Sequence, residues 1–391
     1  MTDNPAEVVE DTAHPPARRG RRLVVLTVVL ALLFGVPWWT LLLAGNAWPA
    51  AVVWAGSALF LLALIALPAL LFTGHGTHRD LPSAFGDALL GVIWVLFAWS
   101  VLGNVARLAL LGVPDPLRSR AVTVAVLVVS GILLAWGHFE AMRVPRVRPV
   151  EVRLTRLGAG LDGLRVAMIT DTHYGPLNRA KWSADMVSRV NELDADIVCH
   201  VGDIADGTVE KRRNQASPLA TVRASAARVY VTGNHEYFSE AQGWLDYMDS
   251  IGWSVLHNRH IVIERGGDRL VIAGIDDATA EGSGLPRHGE DLATALSGAD
   301  PTLPVLLLAH QPKQIPQAVA AGVDLQISGH THGGQIWPFN FLVRLDQPAV
   351  QGLSRHGERT QLYTSRGTGF WGPPFRVFAP SEITLLTLRR G

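Results

Sequence analysis

Residues 164–175 read LRVAMITDTHYG, and this stretch decides how the C-terminal part of the chain is built. Its apolar run, Arg165–Thr170, has the length and composition of a buried strand, and it delivers Asp171 and His173 at its end. The same arrangement recurs outward from here. Asp196–Val201 reads as a strand leading to Asp203, Arg228–Thr232 as one leading to Gly233 and Asn234, Val305–Ala309 as one leading to His310, and Leu325–Ser328 as one leading to His330. Lys181–Leu193 and Pro218–Ala227 read as helices between strands, with further strands at Leu270–Gly274, Leu362–Thr364 and Ile383–Leu388. Strand–helix alternation predicts an α/β layered sandwich with buried sheets. Ligand sites in α/β folds gather at the carboxyl ends of strands, which is where Asp171, Asp203, Asn234, His310 and His330 fall.

The residue types there suit metal chemistry. Asp171 and His173 are two apart, as are His330 and His332. In extended backbone that spacing puts both side chains on one side, so each pair can aim at one point. Carboxylate, amide and imidazole without thiolate suit Mn²⁺, Fe or Zn²⁺. The set exceeds what one ion needs, and two divalent ions about 3.5–4 Å apart, bridged by a carboxylate, account for the surplus. The single cysteine, Cys199, excludes an intramolecular disulfide framework and a thiolate cluster.

The ordered set Asp171-Thr-His173, Gly202-Asp203, Gly233-Asn234-His235-Glu236, His310 and Gly329-His330-Thr-His332 resembles the calcineurin-like metallophosphoesterase superfamily. The DTHYG start, the GHTHGGQ end and several N-terminal spans are similar to its YkuE/YaeI-like, membrane-anchored members. The resemblance covers roughly residues 164–388. It implies that Asp171, His173 and His332 hold one metal, that Asn234, His310 and His330 hold the other, and that Asp203 bridges both. It implies a catalytic His235 beside them that protonates or stabilises the leaving oxygen, with Glu236 orienting the neighbouring backbone. The expected reaction is hydrolysis of phosphate esters, phosphodiesters above all, by metal-activated hydroxide.

The N-terminal part is of another kind. The chain is 48% apolar, with a mean hydropathy of +0.22, and most of the excess precedes Arg143. Leu23–Ala44, Ala50–Thr73, Ala88–Ala106 and Ala121–Gly137 carry no charge. A bilayer core needs about 20 apolar residues, so the four runs read as spans, the fourth at the short end. The expected architecture is therefore an N-terminal α-helical membrane domain of four spans plus an α/β layered sandwich of the metallophosphoesterase type. Its parts are a disordered basic tail over 1–22, an anchor over 23–142, a linker over 143–163 around Pro145 and Pro149, and a catalytic domain over 164–391. Arg18, Arg19, Arg21, Arg22, Arg79, Arg143, Arg146 and Arg148 lie on one side of the membrane, and Arg107, Arg118 and Arg120 on the other. This bias places the catalytic domain on the cytoplasmic face of the plasma or inner membrane.

The spans contain no acid or lysine, which argues for anchoring rather than transport. Lys plus Arg and Asp plus Glu both number 34, and without a basic run no nucleic-acid partner is expected. The expected partners are the bilayer and a phosphoester, with a lipid-linked ester suggested by the aromatic stretches Ile336–Val343 and Phe370–Phe375. A catalytically silent membrane sensor or scaffold is the alternative, and the full ligand set opposes it. His200, His257 and His288 read as structural, Asp276 and Asp277 as possible neighbours of the site, and Arg366 as a possible anion ligand. Gly333, Gly334 and Gln335 adjoin the last ligand and are candidates for shaping the substrate mouth.

Overall fold

The computed structural model describes residues 16–391. The basic tail expected over 1–22 lies outside the described residues up to residue 15, and from Pro16 the chain is already helical. Four helices are long and apolar enough to cross a membrane: α1 (Pro16–Trp38), α2 (Ala50–Leu71), α3 (Asp80–Ala109) and α4 (Leu117–Met142). The fourth is 26 residues long, because flanking residues that interrupt the uncharged run still form helix.

The chain divides into two compact units, one through Ile65 together with Leu96–Val129, the other Ala66–Val95 together with Ser130–Gly391. In the first, Leu41, Val122 and Val126 form an apolar core with Phe60 and Leu96 packed against it. Asn104 Nδ2 donates to Thr40 Oγ1 at 2.6 Å, and Trp38 Nε1 to Ser57 Oγ at 2.9 Å. Such bonds between helices satisfy polar groups that lipid leaves without water.

The second unit is built on two six-stranded sheets. One runs β1 (Arg146–Leu154), β12 (Glu382–Arg390), β2 (Leu164–Ile169), β3 (Ile197–Val201), β4 (Ala227–Val231), β5 (Ser254–Val255). The other runs β10 (Gly352–Arg355), β11 (Gln361–Thr364), β9 (Leu325–Ser328), β8 (Val305–Leu308), β7 (Asp268–Gly274), β6 (Arg259–Arg265). Val166, Met168, Ile197, Cys199 and Val229 of the first sheet pack with Ile272, Leu306, Ile327 and Tyr363 of the second in one buried core. The opposite face of the first sheet is covered by α5 (Ala180–Asn191) through Met186, Val187 and Val190. Strands β2, β3 and β4 are parallel, as are β7, β8 and β9, so their carboxyl ends come to one edge of the sandwich.

Two expectations are corrected. The stretch 143–163 is not simply a linker, because β1 pairs along its whole length with β12. Its prolines mislead, since an edge strand tolerates proline where a central one does not. Pro218–Ala227 is not a helix. A short helix precedes it at Val209–Ala216, a tighter turn covers Ser217–Thr221, and β4 already begins at Ala227; proline starts a helical turn more readily than it sits inside one.

Helix ends belong to the second unit as working parts. Arg212 grips Asp80, at the start of α3, with Nη1 and Nη2 at 2.8 and 2.5 Å, and Lys211 Nζ donates to His78 O. Trp94 Nε1 donates to Ile336 O at 3.1 Å, and Arg376 N to Gly137 O at 2.8 Å. Gly91 of α3 is close to Phe375, whose Cδ2 would stand 2.5 Å from any Cβ placed there.

Candidate metal centre

All seven expected ligands converge at the strand ends. Asp171, His173 and His332 offer ligand atoms within 4.8 Å of one another, and so do Asp203, His310 and His330. Asn234 Oδ1 is 2.9 Å from His330 Nδ1. Asp203 Oδ2 lies 3.1 Å from His310 Nε2 and 3.5 Å from His173 Nε2, so one carboxylate oxygen stands between the two sets.

The pairs do not aim together by strand alternation, as their spacing suggests. Asp171, His173, Asp203, His330 and His332 all sit at positive φ, at 54°, 42°, 54°, 69° and 51°. Each of these side chains leaves a left-handed turn beyond the strand. For residues other than glycine the left-handed region costs about 1–2 kcal/mol, and such strain concentrates at functional sites. Hydrogen bonds hold it: Asp171 Oδ1 accepts from His330 N, and Asp203 Oδ1 from His235 N, both at 2.9 Å.

Glu236 orients backbone, as the motif implies. Its carboxylate accepts from Gly233 N at 2.6 Å, Asp203 N at 2.9 Å and Ile204 N at 2.7 Å. Burial, with Asp203 nearby, raises this carboxyl to about 8, against backbone donors that favour the anion. Glu236→Gln replaces one accepting oxygen with a donor. It should destabilise the protein by about 1–3 kcal/mol, since a buried N–H is left without an acceptor. Thermal melting of the full-length variant in detergent checks this, and an unchanged melting temperature would remove Glu236 from this role.

The residues fit divalent cations. Buried Asp171 Oδ2 has no hydrogen-bond partner among the described residues, and His310 Nε2 faces the Asp203 and Asp171 carboxylates at 3.1 and 4.0 Å. His173 Nδ1 is bonded to Asp206 Oδ1 at 2.9 Å and His310 Nδ1 to Val201 O at 2.7 Å, which leaves each Nε2 available as a ligand atom. Burial pushes His330 down to about 3 and His332 well below its ordinary value, so both rings are neutral, the form that binds metal. A further group, His257, Asp276 and His288, also brings ligand atoms within 4.8 Å. Its contacts are internal: His257 Nδ1 with Asp276 Oδ1 at 2.6 Å and His288 Nδ1 with Tyr237 Oη at 3.1 Å.

Several residues enter that motif reading does not single out. Asp206 is the main one. Its Oδ1 takes His173 Nδ1 and also His235 Nδ1, the latter at 2.7 Å. One carboxylate thus orients a metal-set histidine and His235 together. Its three-residue spacing from Asp203 is the available signal. Arg376 is fully buried and donates from Nη1 to His332 O, Arg366 O and Ala379 O, clamping the last ligand loop. Arg366 Nε donates to the Glu382 carboxylate at 2.8 Å, so its charge is paired within the protein. Gln335 holds Trp371 by bonds to its N and O. Asp277 accepts from Gln311 beside His310, and His200 is buried against Thr172. Beside His173 a small cleft opens, lined by Arg179, Asp206 and Phe370 and, from α3, by Ala84 and Asp87.

The calcineurin-like phosphoesterase family model matches residues 164–334. A Danio rerio protein called transmembrane protein with metallophosphoesterase domain is 38% identical over 275 residues, 68% of this chain and 63% of its own. The protein of the same name from Bos taurus is 36% identical over 305 residues, 75% and 67% of the respective chains. The uncharacterized metallophosphoesterase YkuE of Bacillus subtilis is 26% identical over 274 residues, 66% and 93%. The matched region thus spans about two thirds of the length of the two vertebrate relatives.

Proposed function

This chain belongs to the calcineurin-like phosphoesterase family, and from that premise we propose that it is a membrane-anchored, two-metal phosphodiesterase whose catalytic domain faces the cytoplasm. The observation that carries the reading is the convergence of two ligand sets on one oxygen of Asp203. Asp171, His173 and His332 would hold one divalent cation, Asn234, His310 and His330 the other, and Asp203 would serve both. When bound, two such cations provide a hydroxide nucleophile near neutral pH and neutralise the phosphoryl oxygens.

The chain's own groups do the rest. His235 hands a proton to the leaving oxygen from Nε2, while Asp206 holds Nδ1. Burial opposes its charge, but the Asp203 and Asp206 carboxylates outweigh that and raise it to about 9 in the metal-free protein. Trp371 and Phe238 stand edge-on to its ring at centroid distances of 5.8 and 5.4 Å and help hold its orientation. The cytoplasmic orientation rests on the arginine bias across the spans. The test is hydrolysis of p-nitrophenyl mono- and diesters by the full-length protein in detergent, loaded with Mn²⁺, Zn²⁺ or Fe²⁺ and assayed for metal content. Two bound metals with no hydrolysis of any ester would favour the silent scaffold instead.

A lipid-linked ester is the substrate the rim supports. Phe339 of the aromatic stretch packs edge-on against Trp94 of the apolar helix α3, at a centroid distance of 5.7 Å. Phe341, Leu342 and Leu345 are exposed beside it, Leu345 at 83%. Exposed apolar side chains alongside a membrane-spanning helix are suited to lipid. Replacing Phe341 and Leu345 together by Asp should lower turnover of a phospholipid diester in liposomes by about 10-fold or more, each buried apolar side chain being worth about 1.5–3 kcal/mol. Turnover of a water-soluble diester should change far less. Equal losses on both substrates would leave a tethered enzyme of soluble esters.

A further inference from the structure

Arg179 is a buried cation that forms no ion pair among the described residues, with Asp206 the carboxylate acting on its charge. Its residue is 3% exposed. The guanidinium is stacked between Trp182, 3.7 Å from the ring centroid, and Phe370, at 4.5 Å. Nη1 reaches Thr172 O at 3.4 Å. Nε and Nη2 are buried and have no partner among the described residues. Two aromatic faces offset part of the cost of burying the charge, but neither ring gives the in-plane N–H groups an acceptor. Burial lowers this side chain to about 9, so it remains charged at neutral pH.

The unsatisfied atoms are a matched pair. Nε and Nη2 form one edge of the guanidinium fork, the edge that takes a carboxylate or a phosphoryl group with two parallel bonds. The two aromatic contacts hold the guanidinium in place. Arg179 lines the cleft beside His173, and Thr172 lies between two residues of the first ligand set. The carboxylates that share the cleft are already engaged. Asp206 binds His173 and His235, and Asp87 binds His75 at 2.9 Å. The cleft is therefore lined by one cation whose bidentate edge is buried and meets no acceptor among the described residues, and by carboxylates that are engaged elsewhere.

We propose that Arg179 forms an anion subsite next to the metal centre, which takes a second anionic group of the substrate, a phosphoryl or carboxylate adjoining the phosphoester that is cleaved. The assignment rests on the phosphoesterase reading for the identity of the substrate, but not for the existence of the subsite. An ester of this kind engages both places at once, the scissile phosphoryl at the metals and its charged neighbour at Arg179. Such a substrate is a pyrophosphate diester or a phosphodiester with an acidic head group, whether free in water or carried by a lipid.

Two measurements on the full-length protein in detergent test the proposal. The first is calorimetric binding of sulfate to the metal-free protein, independent of catalysis. The wild type should bind one sulfate, Arg179→Gln none, and Arg179→Lys one with weaker affinity, because lysine keeps the charge but not the fork. The second is a selectivity ratio, kcat/KM for a soluble pyrophosphate diester over that for a soluble diester with a single phosphoryl group, repeated with lipid-carried versions of each in vesicles. Arg179→Gln should reduce the ratio about 10–100-fold, the range expected for losing a charge-assisted bidentate contact. Arg179→Lys should recover part of it. A larger ratio in water or in vesicles identifies which carrier supplies the anion. Absence of sulfate binding to the wild type overturns the subsite even if the glutamine variant fails to fold. An unchanged ratio in a folded Arg179→Gln variant also overturns it. Sulfate binding that depends on Arg179, in a protein that hydrolyses no ester, keeps the subsite and rejects the phosphoesterase reading.

Discussion

Asp203→Asn should reduce turnover by more than about 10³-fold and bring metal content below two ions per chain. Removing a group that merely orients a ligand typically costs about 10–100-fold, and Asp203 is placed to do more. Its Oδ2 is the atom approached by His310 from one ligand set and His173 from the other. Two cations at bridging distance repel one another, and a shared anion is what offsets that repulsion. Asparagine is nearly isosteric, so the Oδ1 contact with His235 N can persist while the charge is lost. The variant therefore separates electrostatics from folding. Metal analysis after desalting, with melting temperature as a folding control, is the measurement. Two retained metals with wild-type turnover would show that Asp203 does not bridge.

His235→Ala should give a contrasting result, with metal content retained and kcat lower by about 10²–10⁴-fold, the usual worth of a positioned general acid. The loss should shrink for p-nitrophenyl esters, whose leaving group needs little protonation, and be largest for alkyl esters. That leaving-group dependence is the diagnostic, because a residue acting only through packing would lower both substrates alike. Asp206 gives a second handle. It holds His235 Nδ1 at 2.7 Å and also His173 Nδ1 at 2.9 Å, so changes there should disturb proton delivery and one ligand set together, whereas His235→Ala should touch only the first.

The coupling of anchor and catalytic domain affects how such experiments are designed. A soluble fragment would be cut near residue 150, inside the stretch that reads as a linker in the sequence. In the structure that cut falls within β1, which pairs along its full length with β12, and it also removes the start of α3, where Arg212 grips Asp80 and where Ala84 and Asp87 line the cleft. Full-length protein is the appropriate material, because the cleft wall is built partly from a helix that reads in the sequence only as a span.

What was legible in the sequence is what local chemistry writes. Uncharged runs long enough for a bilayer identify the four helices, since lipid excludes charge regardless of what the rest of the chain does. Short apolar runs ending in Asp171, Asp203, Asn234, His310 and His330 identify strands and the candidate ligands at their ends, since a buried parallel strand must be apolar and its end is where polar groups can first emerge. What only the tertiary structure decided is everything that depends on a distant partner. Pro149 reads as a linker residue until β12 makes its strand an edge. Arg376 reads as one more surface arginine until the loop of His332 closes over it and supplies carbonyl acceptors. Nothing in the sequence around Arg179 shows that Phe370, from the far end of the catalytic domain, packs on it and that one edge of its fork is left without an acceptor among the described residues. The physical reason is the same in each case: desolvation, hydrogen-bond satisfaction and strand position are properties of the packed environment, and no local spacing of residues encodes which segments will meet there.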